Sequence, residues 1–339
     1  MMKNGPCLSF GKCCLFVDLP QIPTTIDTKT QAKNLETSVK IGNLILKNPI
    51  TVASGTAGYG QELSEYFDIS KIGAIFTKGL SLKPRPGNKG NRIIETPSGV
   101  LNSIGLENVG LEQFIEKKLP FLLSKNAEPI VNVAGNSEEE NVELCFILSK
   151  TQGINAVELN VSCPNVKEGG IAFGTDIKIF SQLLEKVRAK TECALIVKLS
   201  PNVTDITSFA IRAQEIGVDA ISAVNTYLGM KIDTTTGTPH FKNKVAGLSG
   251  PAIKPLALRA VYQICEKVKI PVIGLGGICD FNDALEFFYA GASVVSIGTM
   301  NMVNPMVSMD ILKSLEKYMI DNSISYINEI NEIVGKTRS

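Results

Sequence analysis

Eight short apolar runs, spaced along the chain with helical patterns between them, constrain the fold more than any other feature. The runs are Ile50–Ala53, Ala74–Thr77, Ile130–Val133, Ala156–Val161, Ala194–Leu199, Ala220–Val224, Pro271–Leu275 and Ser293–Ile297. Each is rich in Val and Ile and lacks polar alternation, which is what strands covered on both faces require. Most intervals carry a helix signal. Ser137 and Glu140 form a capping box before Val142–Leu148. Asp176–Thr191 repeats Ile177, Ile179, Phe180, Leu183, Leu184 and Val187 at helical spacing. Asp205–Ile216, Pro255–Val268 and Asn282–Ala290 behave alike, the first and last closed by Gly217 and Gly291. Eight strands with interleaved helices predict an α/β fold, a (β/α)8 TIM barrel. A doubly wound sheet uses the same units but usually has fewer strands and a Gly-rich first turn. No G-x-G-x-x-G occurs, and Gly55-x-x-Gly58-x-Gly60 has the wrong spacing.

Outside the barrel pattern, Val39–Ile41 and Leu44–Leu46 flank Gly42-Asn43 and predict an N-terminal hairpin. Residues 1–38 differ in texture, a cysteine cluster (Cys7, Cys13, Cys14) followed by a polar stretch, and are expected to be an extension ordered only in part. The expected organisation is extension 1–38, barrel 39–320 and C-terminal tail 321–339. Lys+Arg 34 against Asp+Glu 33 gives a net charge of +1, which argues against nucleic acid or an anionic membrane as main partner. The single histidine, His240, excludes a three-histidine metal site, and no metal is expected. Eight cysteines are sparse for 339 residues, so free thiols in a reducing, cytoplasmic setting are expected. The N-terminal apolar run Cys13–Val17 is bounded by Lys12 and Asp18, too short for a membrane span.

A barrel does its chemistry where its strands end. The strand ends here carry Ser54, Gly55 and Thr56; Thr77, Lys78 and Gly79; Asn132; Asn160 through Asn165; Lys198 through Asn202; Asn225 and Thr226; Gly276 and Gly277; and Gly298 and Thr299. Glycine turns after the last two strands are where barrels commonly bind a phosphate, since small residues let backbone N–H groups approach the anion. Lys78 and Lys198 close almost wholly apolar strands, and a buried ammonium needs a partner. No strand end carries a carboxylate except Glu158, inside strand 4, so an anionic ligand is expected to meet both lysines, and a flavin suits. Cys163, between Ser162 and Pro164 and ahead of Gly169-Gly170, lies on a polar loop. It is a candidate base or nucleophile, and the scarcity of histidine favours base. Cys145, Cys193 and Cys265 fit buried packing instead. The loop Asn102 to Asn108 adds amides, which with Asn160, Asn165 and Asn225 suit a planar ligand such as an imide or a carboxylate.

These residues as a set resemble the dihydroorotate dehydrogenases, flavin barrel enzymes of pyrimidine synthesis. The resemblance rests on Asn160-Val161-Ser162-Cys163-Pro164-Asn165, Asn102–Leu106, Lys198-Leu199-Ser200-Pro201-Asn202 and the paired glycine turns, and runs from about Val39 to Asn304. Cys163 and the missing membrane helix set the chain apart from class 2. Val166 through Gly174 and Lys83 through Asn88 look like class 1 subtype B. The resemblance implies that Ser54, Lys78, Gly79, Asn132, Asn160, Lys198, Val224, Gly250, Gly276, Gly277, Gly298 and Thr299 hold FMN. It implies that Lys78, Asn102, Ser103, Ile104, Gly105, Leu106, Asn160, Asn225 and Thr226 surround dihydroorotate or orotate, and that Cys163 is the base. It also implies a homodimer joined to an electron-transfer subunit carrying FAD and a [2Fe–2S] cluster, with NAD as acceptor. The alternatives are a fumarate-using subtype A enzyme, a flavin barrel reducing another pyrimidine, and a non-catalytic barrel that binds a phosphate ligand.

Overall fold

The structure is a computed structural model and describes residues 35–162, 164–165 and 171–331. Cys7, Cys13, Cys14 and Cys163 therefore lie outside the described residues, as does most of the extension. Eight parallel strands close into a barrel: β1 (Ile50–Val52), β2 (Ala74–Phe76), β3 (Pro129–Val133), β4 (Ala156–Asn160), β5 (Ala194–Lys198), β6 (Ala220–Ala223), β7 (Val272–Gly274) and β8 (Val294–Ile297). Each pairs with the next, and β8 closes on β1 through Val295 opposite Ile50. The strands are apolar at nearly every position because helices cover their outer faces while side chains fill the interior. The hairpin Val39–Ile41/Leu44–Leu46 forms as its Gly-Asn turn predicts, with Gly42 at φ 56°.

Helix boundaries follow their caps. Asp176, Asp205 and Asp280 each accept a backbone N–H from the first turn of Ile177–Arg188, Ile206–Ile216 and Phe281–Tyr289. Gly217 ends the second of these at φ 91°. Ser137 caps Glu138–Ser149 by accepting from the Glu140 N–H, but the other half of the capping box is absent. The Glu140 carboxylate instead accepts from the N–H groups of Leu82 and Asn136, at 3.0 and 2.8 Å. It thereby ties the loop after β2 to a helix outside the barrel.

Two features were not visible as patterns. A four-stranded antiparallel sheet, ordered Tyr227–Met230, Val245–Ser249, Gly99–Asn102, Ile93–Thr96, is built from the segments that follow β2 and β6. At the other end of the described chain, Ile324, Ile327 and Ile330 are buried in the main core. Glu36 pairs there as well, its N–H donating to Ser325 O and its carbonyl accepting from the Ile327 N–H.

Candidate active site

Successive residues of a strand point to opposite sides, so Glu158 and Asn160 of β4 both face the barrel interior, Asn160 nearer its C-terminal mouth. Register places Asn132 of β3 opposite Glu158, and Lys198 of β5 opposite both Asn160 of β4 and Ser222 of β6. A polar layer thus crosses the upper barrel where branched apolar side chains usually sit. Within it Glu158 Oε2 accepts from Asn132 Nδ2 at 2.5 Å, and Oε1 accepts from Ser222 Oγ at 2.6 Å. Lys198 Nζ lies 3.8 Å from Glu158 Oε2, with the two side chains only 7% and 1% exposed.

A cavity opens above this layer at the C-terminal ends of the strands. Its wall includes Ser54, Lys78, Gly79, Asn132, Asn160, Lys198, Val224, Gly250, Gly276, Gly277, Gly298 and Thr299, together with Asn102, Ile104, Leu106, Asn225 and Thr226. Ser103 and Gly105 do not line it. Asn88 Nδ2 donates to both oxygens of Ser103 at 3.0 Å, and a Cβ on Gly105 would stand 2.4 Å from Asn88 Oδ1. These two residues hold the loop that presents Asn102, Ile104 and Leu106.

The amides interlock. Asn225 Nδ2 donates to Asn160 Oδ1 at 3.2 Å and to Ser162 Oγ at 3.0 Å. Asn102 Nδ2 donates to the Gly247 carbonyl, fastening the antiparallel sheet beside the cavity. The Gly276-Gly277 turn is closed to other residues: both have positive φ, and a Cβ on Gly277 would meet the Lys254 backbone nitrogen at 2.7 Å. Thr299 Oγ1 donates to Ser249 Oγ at 2.8 Å, joining the turn after β8 to the antiparallel sheet.

Both lysines have carboxylate partners, which corrects the expectation that an anionic ligand alone would balance them. Lys78 Nζ lies 3.3 Å from Glu107 Oε2, and the same oxygen accepts from Arg92 at 2.9 Å. Glu107 follows Leu106 in a loop far from Lys78 in sequence, so its role was not visible from strand ends. Glu158 was visible: a carboxylate two residues before Asn160 must share its face. Cys279 also lines the cavity, its thiol pushed up by partial burial and then by Asp283 and Asp280. Cys145, Cys193 and Cys265 are free and packed away from it, burial raising all three thiols, Cys193 to about 11 and Cys265 to about 12.

A flavin mononucleotide fits the residues present. Asn132 Oδ1 is buried and has no partner among the described residues, and such an acceptor calls for a donor from a ligand. Beside it Gly79 leaves the wall open, since a Cβ there would stand 2.9 Å from that oxygen. Lys198 supplies a cation in the same layer, and the glycine turns after β7 and β8 form the part of a barrel that receives phosphate.

The family model described as dihydroorotate dehydrogenase matches residues 36–319, the whole barrel and both sides of this cavity. The chain belongs to the dihydroorotate dehydrogenase family. Among its curated relatives are proteins named dihydroorotate dehydrogenase B (NAD(+)), catalytic subunit. That of Desulforamulus reducens is 50% identical over 301 residues, covering 89% of this chain and 98% of the relative. That of Trichlorobacter lovleyi is 51% identical over 298 residues, 88% of this chain and 97% of the relative. The Thermoanaerobacter sp. protein is 50% identical over 300 residues, 88% and 98% respectively. The family's span ends two residues before the helix Val307–Asp321 does.

Proposed function

We propose that this chain oxidises (S)-dihydroorotate to orotate in pyrimidine synthesis, using FMN and passing the electrons on to NAD through a partner subunit. The observation that carries this reading is the meeting of Lys78, Asn102, Asn132, Asn160, Lys198 and Asn225 in one cavity capped by two glycine turns, in a family whose named relatives are NAD(+)-type catalytic subunits. Bound FMN supplies the hydride acceptor. The protein's part is to hold, orient and deprotonate. Lys198 and Asn132 would hold the flavin's polar edge, and the turns at Gly276-Gly277 and Gly298-Thr299 would receive its phosphate with backbone N–H groups. Asn102, Asn160, Asn225 and Thr226 orient the substrate's imide and carboxylate, and Lys78 offsets its negative charge.

Cys163, one residue beyond Ser162 in the Asn160–Asn165 segment, takes the proton from C5 while C6 gives up its hydride. A thiol of ordinary pKa, about 8.5, is mostly protonated at neutral pH. The rate of flavin reduction should therefore climb with pH and level off above the thiol's pKa, as a general base requires. Cys163→Ser should keep FMN and slow flavin reduction by about 10²-fold or more; stopped-flow bleaching at the wild-type rate would remove Cys163 from this role. The primary test is simpler: the purified protein should be yellow, and anaerobic dihydroorotate, but not dihydrouracil, should bleach it.

Electron exit needs a second chain. Co-purification of a subunit bearing FAD and iron supports it, whereas brisk fumarate reduction by this chain alone points to a subtype A enzyme. A homodimer is supported by the antiparallel sheet, where Leu228 and Met230 alternate onto one face and Val245 stands directly opposite Met230, all three exposed. Sedimentation measures it. No described helix is long and apolar enough to cross a membrane, and the free thiols go with a cytoplasmic setting.

A further inference from the structure

Glu158 is buried behind the cavity wall and does not itself line the cavity, yet it decides what two wall residues, Asn132 and Lys198, offer there. A carboxylate has acceptors only, so the amide of Asn132 must turn its NH2 end toward Glu158. The 2.5 Å contact uses that donor. The amide oxygen is left on the other side, buried and without a partner among the described residues, beside the opening at Gly79. Ser222 fixes the carboxylate from the opposite side through its hydroxyl, which leaves Oε2 for Asn132 and, at 3.8 Å, for Lys198. With any neutral neighbour that both donates and accepts, either face of the Asn132 amide would serve.

We propose that Glu158 is a positioning residue that sets the polarity of the cavity floor: it forces an acceptor, Asn132 Oδ1, toward the ligand and holds the Lys198 ammonium beside it. An oxidised flavin has one ring N–H, in its imide, flanked by carbonyls that gain negative charge on reduction. An acceptor next to a cation is the complement of that edge. The inference rests on the FMN reading above. It deepens that reading by naming the residue that selects an imide edge over one offering only acceptors.

Two measurements test it, neither of them turnover. Deflavinated wild-type protein and Glu158→Gln are titrated with FMN by fluorescence quenching, and the midpoint potential of bound flavin is measured in each. Gln offers a donor and an acceptor, so the Asn132 amide is no longer forced. The FMN dissociation constant should rise at least about tenfold. The potential should shift positive, because the negative charge beside Lys198 is gone and the reduced, anionic ring is less opposed. A variant that binds FMN within twofold of wild type at an unchanged potential overturns the proposal. Should Glu158→Gln not fold, the unaltered protein still decides: FMN methylated at the imide nitrogen, which cannot donate there, should bind at least about tenfold more weakly than FMN. Equal affinity for the two flavins overturns the proposal. Wild-type protein that binds no FMN at all overturns the FMN reading itself, a result distinct from either of these.

Discussion

Two lysines face one cavity under different conditions. Lys198 closes β5 and is almost wholly buried against Glu158, with Asn132 and Ser222 completing the layer. Lys78 follows β2 at the rim, 27% exposed, and shares Glu107 (46% exposed) with Arg92. Each has a carboxylate, so pairing alone does not separate a lysine fixed during folding from one free to change partners. Burial does. Removing one member of a buried pair strands a charge, whereas an exposed pair dissolves into water at little cost. The floor is therefore built once, during folding, whereas the rim pair is free to exchange partners with an anionic ligand.

The largest effect should come from the floor. Lys198→Met leaves Glu158 buried without its cation, and urea denaturation should show a loss of about 3 kcal/mol along with poor FMN retention. A loss below about 1 kcal/mol would put Lys198 in the same class as Lys78 and erase the contrast. At the rim, Lys78→Met should change stability by less than about 1 kcal/mol, because Glu107 keeps Arg92. Its kcat/KM for dihydroorotate should nonetheless fall about 10- to 100-fold, the worth of a charged hydrogen bond. The smallest effect belongs to Glu107→Gln. Freeing Lys78 from a competing carboxylate should lower KM about two- to threefold at low salt, and the gain should fade as ionic strength rises. A KM that rises instead would mean Glu107 helps Lys78 rather than competing with it.

Much of the barrel was legible because strands covered on both faces leave an unmistakable trace, runs such as Ala194–Leu199 without a polar interruption. The Asp and Gly residues at helix ends marked their positions equally well, since a cap is a local interaction. The cavity's wall was legible for the same reason: in a barrel, the ends of strands converge by topology alone. What stayed hidden depends on contacts distant in sequence. Nothing near Lys78 announces Glu107, and nothing in Ile93–Asn102 announces a sheet whose partners lie beyond β6. The capping box at Ser137 shows the limit from the other side. Its local half formed, but a better acceptor role drew Glu140 away to Leu82. The buried layer sat between the two cases, since the alternation in β4 shows that Glu158 points inward but not which groups it will meet.

The sheet that carries Asn102 has a consequence for the order in which the protein assembles. Asn102 stands opposite Gly247, and their hydrogen bond spans 145 residues of chain. Closing so long a loop costs entropy that only neighbouring contacts can offset, so pairings of this kind form late. The intervening chain contains β3 through β6, whose side-by-side docking would shorten the effective loop before the two segments meet. The side of the cavity that we propose for the substrate is then among the last parts to appear. In pulsed hydrogen exchange, amides of Gly99–Asn102 and Val245–Ser249 should gain protection after those of β4 and β5. A nascent chain would carry most of a barrel before it had anywhere to hold a substrate.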